Sequence, residues 1–270
     1  MRVVINLFLI IIMFVFLSLD GITQNISPNQ ISGLVLWLRA DSNVVHSTTV
    51  SEWNDCSGNS NNSSQTNLIK QPLYLPSVEM FNFMPALSFD GNDDELLGAI
   101  IPNINTSSLS VLITARNNPT VSAKCMLSFN TTTAGFVLCK RSTGQFVNYQ
   151  NGGNYNSLNT NDCSNEGTPL KIYSIIKRIG IDSKIFVNSI FRNSTTLSSL
   201  INSFTNAAYK VGYANSTISY WLGDVVEILV YNSALTDIER LNVEQYLMDK
   251  YARKINLGAN ILHYGFCNTT

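Results

Sequence analysis

The stretch from Tyr220 to Tyr251 most constrains what this chain can fold into. An apolar strand, Trp221 to Tyr231, passes through a short Asn232-Ser233-Ala234-Leu235 connection into a helix. Val225 to Val230 mixes β-branched and long apolar side chains at every position but Glu227, which suits a strand covered on both faces, as in the middle of a sandwich. Thr236 then reads as the N-cap, and Glu239, three residues on, completes a capping box. The helix is weakly amphipathic: Leu241, Val243, Leu247, Met248 and Tyr251 share a broad arc, interrupted by Arg240 and Glu244, so it is expected to lie on the sandwich surface.

The rest of the chain supplies short strands punctuated by turn residues. Gly33 to Arg39, Val50 to Trp53, Leu73 to Leu75, Ala86 to Phe89 and Leu109 to Thr114 have strand character, as do Cys125 to Phe129, Gly135 to Arg141 and Leu170 to Lys177. Lys184 to Val187 and Ile190 to Arg192 form a hairpin pattern about Asn188-Ser189, and Ala208 to Tyr213 leads into the final strand. Many short strands and one late helix argue for an all-β, two-sheet antiparallel sandwich or jelly roll with one C-terminal surface helix. Trp37, Phe89, Val226 and Ile228 are expected to share its core.

Arg2 and the apolar run Leu7 to Leu17 have the form of a secretory signal, and Gly21 and Thr23 suit a cut before Gln24. An uncleaved anchor is the alternative, but the run is shorter than the roughly 20 residues a spanning helix needs. The expected organisation is a signal peptide over 1–23, one domain over 24–252 and a C-terminal tail over 253–270. The mature chain is expected to lack a membrane span and to be secreted or held at the cell surface. Charged residues make up 13% of the 270, with a net charge of −1, so no basic field exists to neutralise phosphates and nucleic acid is not an expected partner.

Export permits disulfides, but the five cysteines, Cys56, Cys125, Cys139, Cys163 and Cys267, are an odd count with no zinc-like spacing. Cys125 and Cys139 are symmetric about Thr132. If the hairpin between them is symmetric too, they face each other at a separation a disulfide tolerates, with Leu127 and Phe129 sharing a side opposite Val137. Two unlinked core thiols are the alternative.

With these segments in view, the chain resembles the laminin-G-like, concanavalin A-like jelly-roll domains of secreted and surface proteins. The resemblance rests on Gly33 to Leu38, Trp53 to Asn59, Pro85 to Gly91, and Gly223 to Asn232 with its following helix, and covers most of the mature chain. It implies a non-catalytic role, binding glycans, proteins or matrix. The same superfold also hosts glycoside hydrolases, whose retaining members carry Glu-x-Asp-x-(x)-Glu so that two carboxylates flank the scissile bond about 5 to 5.5 Å apart. Here Asp224 and Glu227 fit the second half, but Leu222 stands where the first Glu belongs, and in a regular strand Asp224 and Glu227 point to opposite faces. With no GxSxG or HExxH, and only His46 and His263 as histidines, other hydrolase machinery is lacking too.

Two groups are ligand candidates. Tyr149, Gln150, Asn151, Asn154 and Tyr155 lie in an Asn/Gly-rich loop whose rings can cover a sugar face while amides bond its hydroxyls; tyrosines packed back on the sandwich are the alternative. Asp90, Asn92 and Asp93, with Asp94 and Glu95, offer hard oxygens to calcium, against the alternative of a turn in which Asp and Asn bond their own backbone. No other cofactor is expected. The expected function is an exported binding module for a glycan or extracellular protein, with a structural or adhesive protein and a glycoside hydrolase as alternatives.

Overall fold

The structure is a computed structural model describing residues 26–102, 104, 108–117, 124–130, 135–140, 146–150, 154–158, 170–178, 180–196, 206–214, 220–256 and 261–264. The signal-like segment 1–23, Thr131 to Thr133, Asn151, Cys163 and Cys267 lie outside the described residues. In chain order the strands are β1 (Leu34–Arg39), β2 (Val44–His46), β3 (Val50–Trp53), β4 (Ser63–Ser64), β5 (Leu73–Val78), β6 (Met84–Asp90), β7 (Leu96–Ile101), β8 (Ser108–Asn117) and β9 (Lys124–Asn130). There follow β10 (Gly135–Lys140), β11 (Phe146–Gln150), β12 (Asn154–Leu158), β13 (Lys171–Arg178), β14 (Asp182–Val187), β15 (Ile190–Thr196), β16 (Ala207–Val211) and β17 (Leu222–Tyr231). Helix α1 (Asp237–Tyr251) precedes β18 (Arg253–Asn256) and β19 (Ile261–Tyr264).

Two antiparallel sheets form the sandwich. The first runs β15-β14-β13-β8-β17-β6-β5, and β1 also pairs with β17; the second runs β12-β11-β10-β9-β16-β7-β4-β3-β2. The expected two-sheet all-β architecture is therefore what forms. β17 is its centre: β8 lies along one edge, while β6 and β1 share the other, pairing with residues 222–225 and 227–231 in turn. The tail segment makes a separate hairpin, β18 with β19.

Because side chains alternate along a strand, the first sheet feeds two apolar layers. Leu36, Leu38, Leu87, Phe89, Val111, Ile113, Ile175 and Ile228 face the second sheet, where they meet Trp53, Leu127, Phe129, Phe136 and Tyr209. Trp37, Leu112, Ile172, Val226, Leu229 and Tyr231 face outward and are covered by Val243, Leu247 and Tyr251 of α1. Trp37 and Val226 thus belong to the helix-covered layer, not to one core with Phe89 and Ile228. Residues 36 and 38 point inward, so 37 must point out.

Helix α1 begins as its sequence dictates: Thr236 Oγ1 accepts from Glu239 N at 3.2 Å and Glu239 Oε2 accepts from Thr236 N at 2.8 Å. Its buried face is Arg240, Val243, Glu244, Leu247 and Tyr251, whereas Leu241 is on the solvent side. The guanidinium of Arg240 lies 3.7 Å over the Phe186 ring and bonds Glu244 at 2.6 Å. These two charges fill the arc they were expected to interrupt. The β14–β15 turn is tight, with Asn188 at φ 50° and Ser189 at φ 66°, so Ser189 takes the left-handed position that glycine usually fills.

Cys125 and Cys139 are disulfide-bonded. They pair directly, as do Lys124 and Lys140, but toward the turn the hairpin is offset by one residue, with Leu138 opposite Leu127, Phe136 opposite Phe129 and Val137 opposite Ser128. The bulge corrects the parity expected of a symmetric hairpin. It turns the cysteines out of the main core into a small cluster with Ala214, while Leu127, Phe129, Phe136 and Leu138 stay in it. For a sequence separation of 14, the Cys125→Ser/Cys139→Ser variant should lose about 3 kcal/mol in the chain-entropy account. A denaturant midpoint measured without reductant checks this, and a midpoint equal to that of the parent protein would remove the bond from the stability account.

Candidate functional site

β6, β8 and β17 finish together at one end of the sandwich. Asp90 pairs with Leu222, Gly223 with Phe89 and Asn117, and Asp224 with Ser88 and Arg116. A cleft of about 270 Å³ opens there, lined by Ser88, Phe89, Arg116, Asn117, Leu222, Gly223 and Asp224. Gly223, at φ +140°, makes the close approach possible, since a Cβ at this position would collide with the Arg116 carbonyl oxygen. Arg116 is pinned across the cleft. Its guanidinium lies 5.0 Å over the Phe81 ring and its Nε donates to Asp224 Oδ2 at 2.7 Å. Ser88 and Asn117 add a hydroxyl and an amide, so the cleft combines fixed donors and acceptors in the manner of a polar ligand site.

Asp224 and Glu227 do not point to opposite faces. Val225 pairs with Ala115 and Glu227 with Thr114, so Val226 is an extra residue and the bulge brings Glu227 back to the face of Asp224. Both are nonetheless committed. Asp224 is held by Arg116, and Glu227 is fully buried, with Oε1 accepting from Trp37 Nε1 at 2.6 Å. Its Oε2 accepts from Lys250 Nζ at 2.7 Å and Tyr251 OH at 2.6 Å. Burial raises the Tyr251 hydroxyl well above its ordinary pKa, and the neighbouring carboxylate adds to that, so it stays a donor. Leu222, on the cleft wall, brings no carboxyl where a retaining hydrolase needs one.

The Asp90 turn closes the same end. Asp90 Oδ1 accepts from Asn92 N at 2.8 Å and Oδ2 from Asn92 Nδ2 at 3.0 Å, while Asp94 Oδ2 accepts from Asp90 N at 2.8 Å. Burial pulls the Asp90 carboxyl upward, but the bonds from Asn92 and Asp93 outweigh it and leave the group below its ordinary value. Asp94 is pushed up to about 6 by burial, with the charges of Asp90 and Asp93 opposing its ionisation as well. Carboxylate oxygens of Asp90, Asp93 and Asp94 lie within 4.8 Å of one another. Much of the hydrogen-bonding capacity here goes to the turn's own backbone, as in an Asx turn.

Tyr149, Gln150, Asn154 and Tyr155 lie on strands, not in a loop: Tyr149 is opposite Tyr155, and Gln150 opposite Asn154, in the β11–β12 hairpin at the margin of the second sheet. Polar, Asn-rich composition hid their strand character. The tyrosine group is therefore on the second sheet, and the Asp90 group on the turn that leaves β6 of the first sheet for β7 of the second. Missed altogether were Arg116, the one cation ending the otherwise apolar or small run of β8, and the tyrosines Tyr213 and Tyr220, whose rings stack with centroids 4.4 Å apart. The first had a readable signal; the second pair is joined by tertiary structure alone.

No protein-family model matches the sequence, and no curated protein does. Solved structures do. The binding domain of Paraclostridial Mosquitocidal Protein 1 aligns with a TM-score of 0.58 at 14% identity, over 80% of this chain and 52% of that one. Domain 4 of AbnA, a GH43 extracellular arabinanase from Geobacillus stearothermophilus, solved in complex with arabinotriose, aligns at 0.57 and 15% identity, over 79% of this chain and 98% of that one. The receptor-binding domain of botulinum neurotoxin D aligns at 0.58 and 14% identity, over 82% and 53%. This chain spans about half the length of the toxin binding domains it matches. At these identities what is shared is the fold, a β-sandwich of the jelly-roll type used by carbohydrate- and receptor-binding domains.

Proposed function

We propose that this chain is an exported, laminin-G-like binding module without catalytic activity, and that its ligand is a glycan held at the cleft of Arg116, Asn117, Ser88 and Asp224. The observation that carries the proposal is the state of the carboxylates. Asp224 is paired with Arg116 and Glu227 is buried under three donor side chains, so these two cannot serve as acid and nucleophile, while the fixed Arg116–Asp224 pair offers donors and acceptors to hydroxyl groups. Arabinotriose in the AbnA domain, and a neurotoxin binding domain in complex with SialylT, support a sugar as the ligand class to test first. Among the described residues no helix is long and apolar enough to cross a membrane. Calcium at Asp90, Asp93 and Asp94 is an arm of the test, not a premise.

A glycan array probed with the domain, with and without calcium, decides the matter. Arg116→Ala should weaken any glycan bound at the cleft about tenfold, in line with loss of a charge-assisted hydrogen bond. A blank array under both conditions would leave the protein-binding, adhesive alternative. Polysaccharide hydrolysis abolished by Asp224→Asn would restore the enzyme.

A further inference from the structure

The Tyr213–Tyr220 pair belongs to neither the core nor the cleft. Both rings are half-buried, stacked at 4.4 Å with planes 18° apart. Lys210 Nζ lies over the Tyr213 ring, 4.8 Å from its centroid. Tyr213 thus carries both the Tyr220 ring and the Lys210 ammonium. The stack runs Lys210, Tyr213, Tyr220, and the half-buried Tyr220 ring makes no further ring or cation contact among the described residues.

The backbone beneath is held at several points. Gly212 N donates to Met126 O at 2.8 Å, Trp221 N to Gly212 O at 2.7 Å, and Ser128 Oγ to Tyr213 O at 2.8 Å. Tyr220 bridges Cys125, and Ala214 packs on the disulfide. Such anchoring removes ordering costs before a ligand arrives. The electrostatic surroundings are mixed: Glu95, Lys70 and Asp93 all act on the Tyr220 hydroxyl, and Lys70 bonds Glu95 at 3.0 Å. Two carboxylates against one ammonium disfavour an anion, and the Lys70–Glu95 pair presents a donor and an acceptor to neutral hydroxyls. Two residues further on, Leu222 is already part of the cleft wall.

We propose that the far face of Tyr220 is a platform for the apolar face of a neutral sugar ring, making it a second contact point beside the cleft. The inference rests on the glycan reading above and adds the ligand's class and a separate residue. Titration calorimetry with cellotriose, maltotriose, N-acetyllactosamine and sialyllactose tests it on the parent domain, Tyr220→Ala, Tyr220→Phe and Arg116→Ala. A neutral oligosaccharide should bind, Tyr220→Ala should weaken it about tenfold, and Tyr220→Phe should stay within about threefold, because the ring and not the hydroxyl makes the contact. Tyrosine ring resonances of the parent protein should shift in the same titration, which guards against a variant that misfolds. Unchanged affinity in Tyr220→Ala, with Arg116→Ala weakened, overturns the platform alone. Binding of sialyllactose only overturns the neutral class, and binding of none of the four sugars overturns the glycan reading together with the platform.

Discussion

Glu227→Ala is expected to destabilise the fold by about 3 to 5 kcal/mol, the range for breaking a buried ion pair from one side. The carboxylate has no exposed surface and collects the indole N–H of Trp37, the ammonium of Lys250 and the hydroxyl of Tyr251. Alanine leaves all three donors without that acceptor. Lys250 keeps Asp41 at 2.9 Å, which softens the loss, but Trp37 Nε1 and Tyr251 OH are deep in the helix-covered layer. Glu227→Gln should cost less, since its carbonyl still accepts one of these bonds. Denaturant midpoints measure both, and an unchanged midpoint for Glu227→Ala would show the network to be energetically idle. The comparison also bears on function: a residue whose removal unfolds the helix layer is a structural anchor, whatever its place in a hydrolase-like motif.

Local signals made much of this architecture readable. A capping box involves residues three apart, so Thr236 and Glu239 announce the helix start in any context. Turn residues and apolar strands likewise gave the sandwich. What failed was the assignment of faces: Trp37 is expected with Phe89 although plain alternation with Leu36 and Leu38 turns it outward, and elsewhere a bulge intervened. Strict alternation puts Asp224 and Glu227 on opposite sides, yet the extra residue at Val226 restores them to one, and no residue type in that strand marks a bulge. The same event in β9 separates Cys125 from the face of Leu127 and Phe129. The helix was misread for another reason. Hydropathy counts Arg240 and Glu244 as surface groups, but paired with each other, and with Arg240 lying on Phe186, they are core components. At the cleft, Arg116, Asn117 and Ser88 come from different strands, and only the register of β6, β8 and β17 assembles them.

Trp37→Ala should lower stability by about 3 to 5 kcal/mol, as expected for a buried tryptophan. Only 5% of it is exposed, its ring meets Tyr246 edge-on at 6.2 Å, and the Arg39 guanidinium lies 5.0 Å over it. Its position in the outer layer adds a specific expectation beyond the midpoint. The cavity opens beneath α1, so amide protection should fall most in the helix and least in β8 and β13, whose inward faces are packed by the second sheet. The effect should not add to that of Glu227→Ala. The two side chains share a 2.6 Å hydrogen bond, and residues in direct contact couple by roughly 0.5 to 3 kcal/mol. In a double-mutant cycle the second substitution should therefore cost less than it does alone, because the donor or acceptor it would strand is already gone. Full additivity, or a Trp37→Ala melting curve that overlays the parent's, would show that the helix is held to the sheet by something other than this pair.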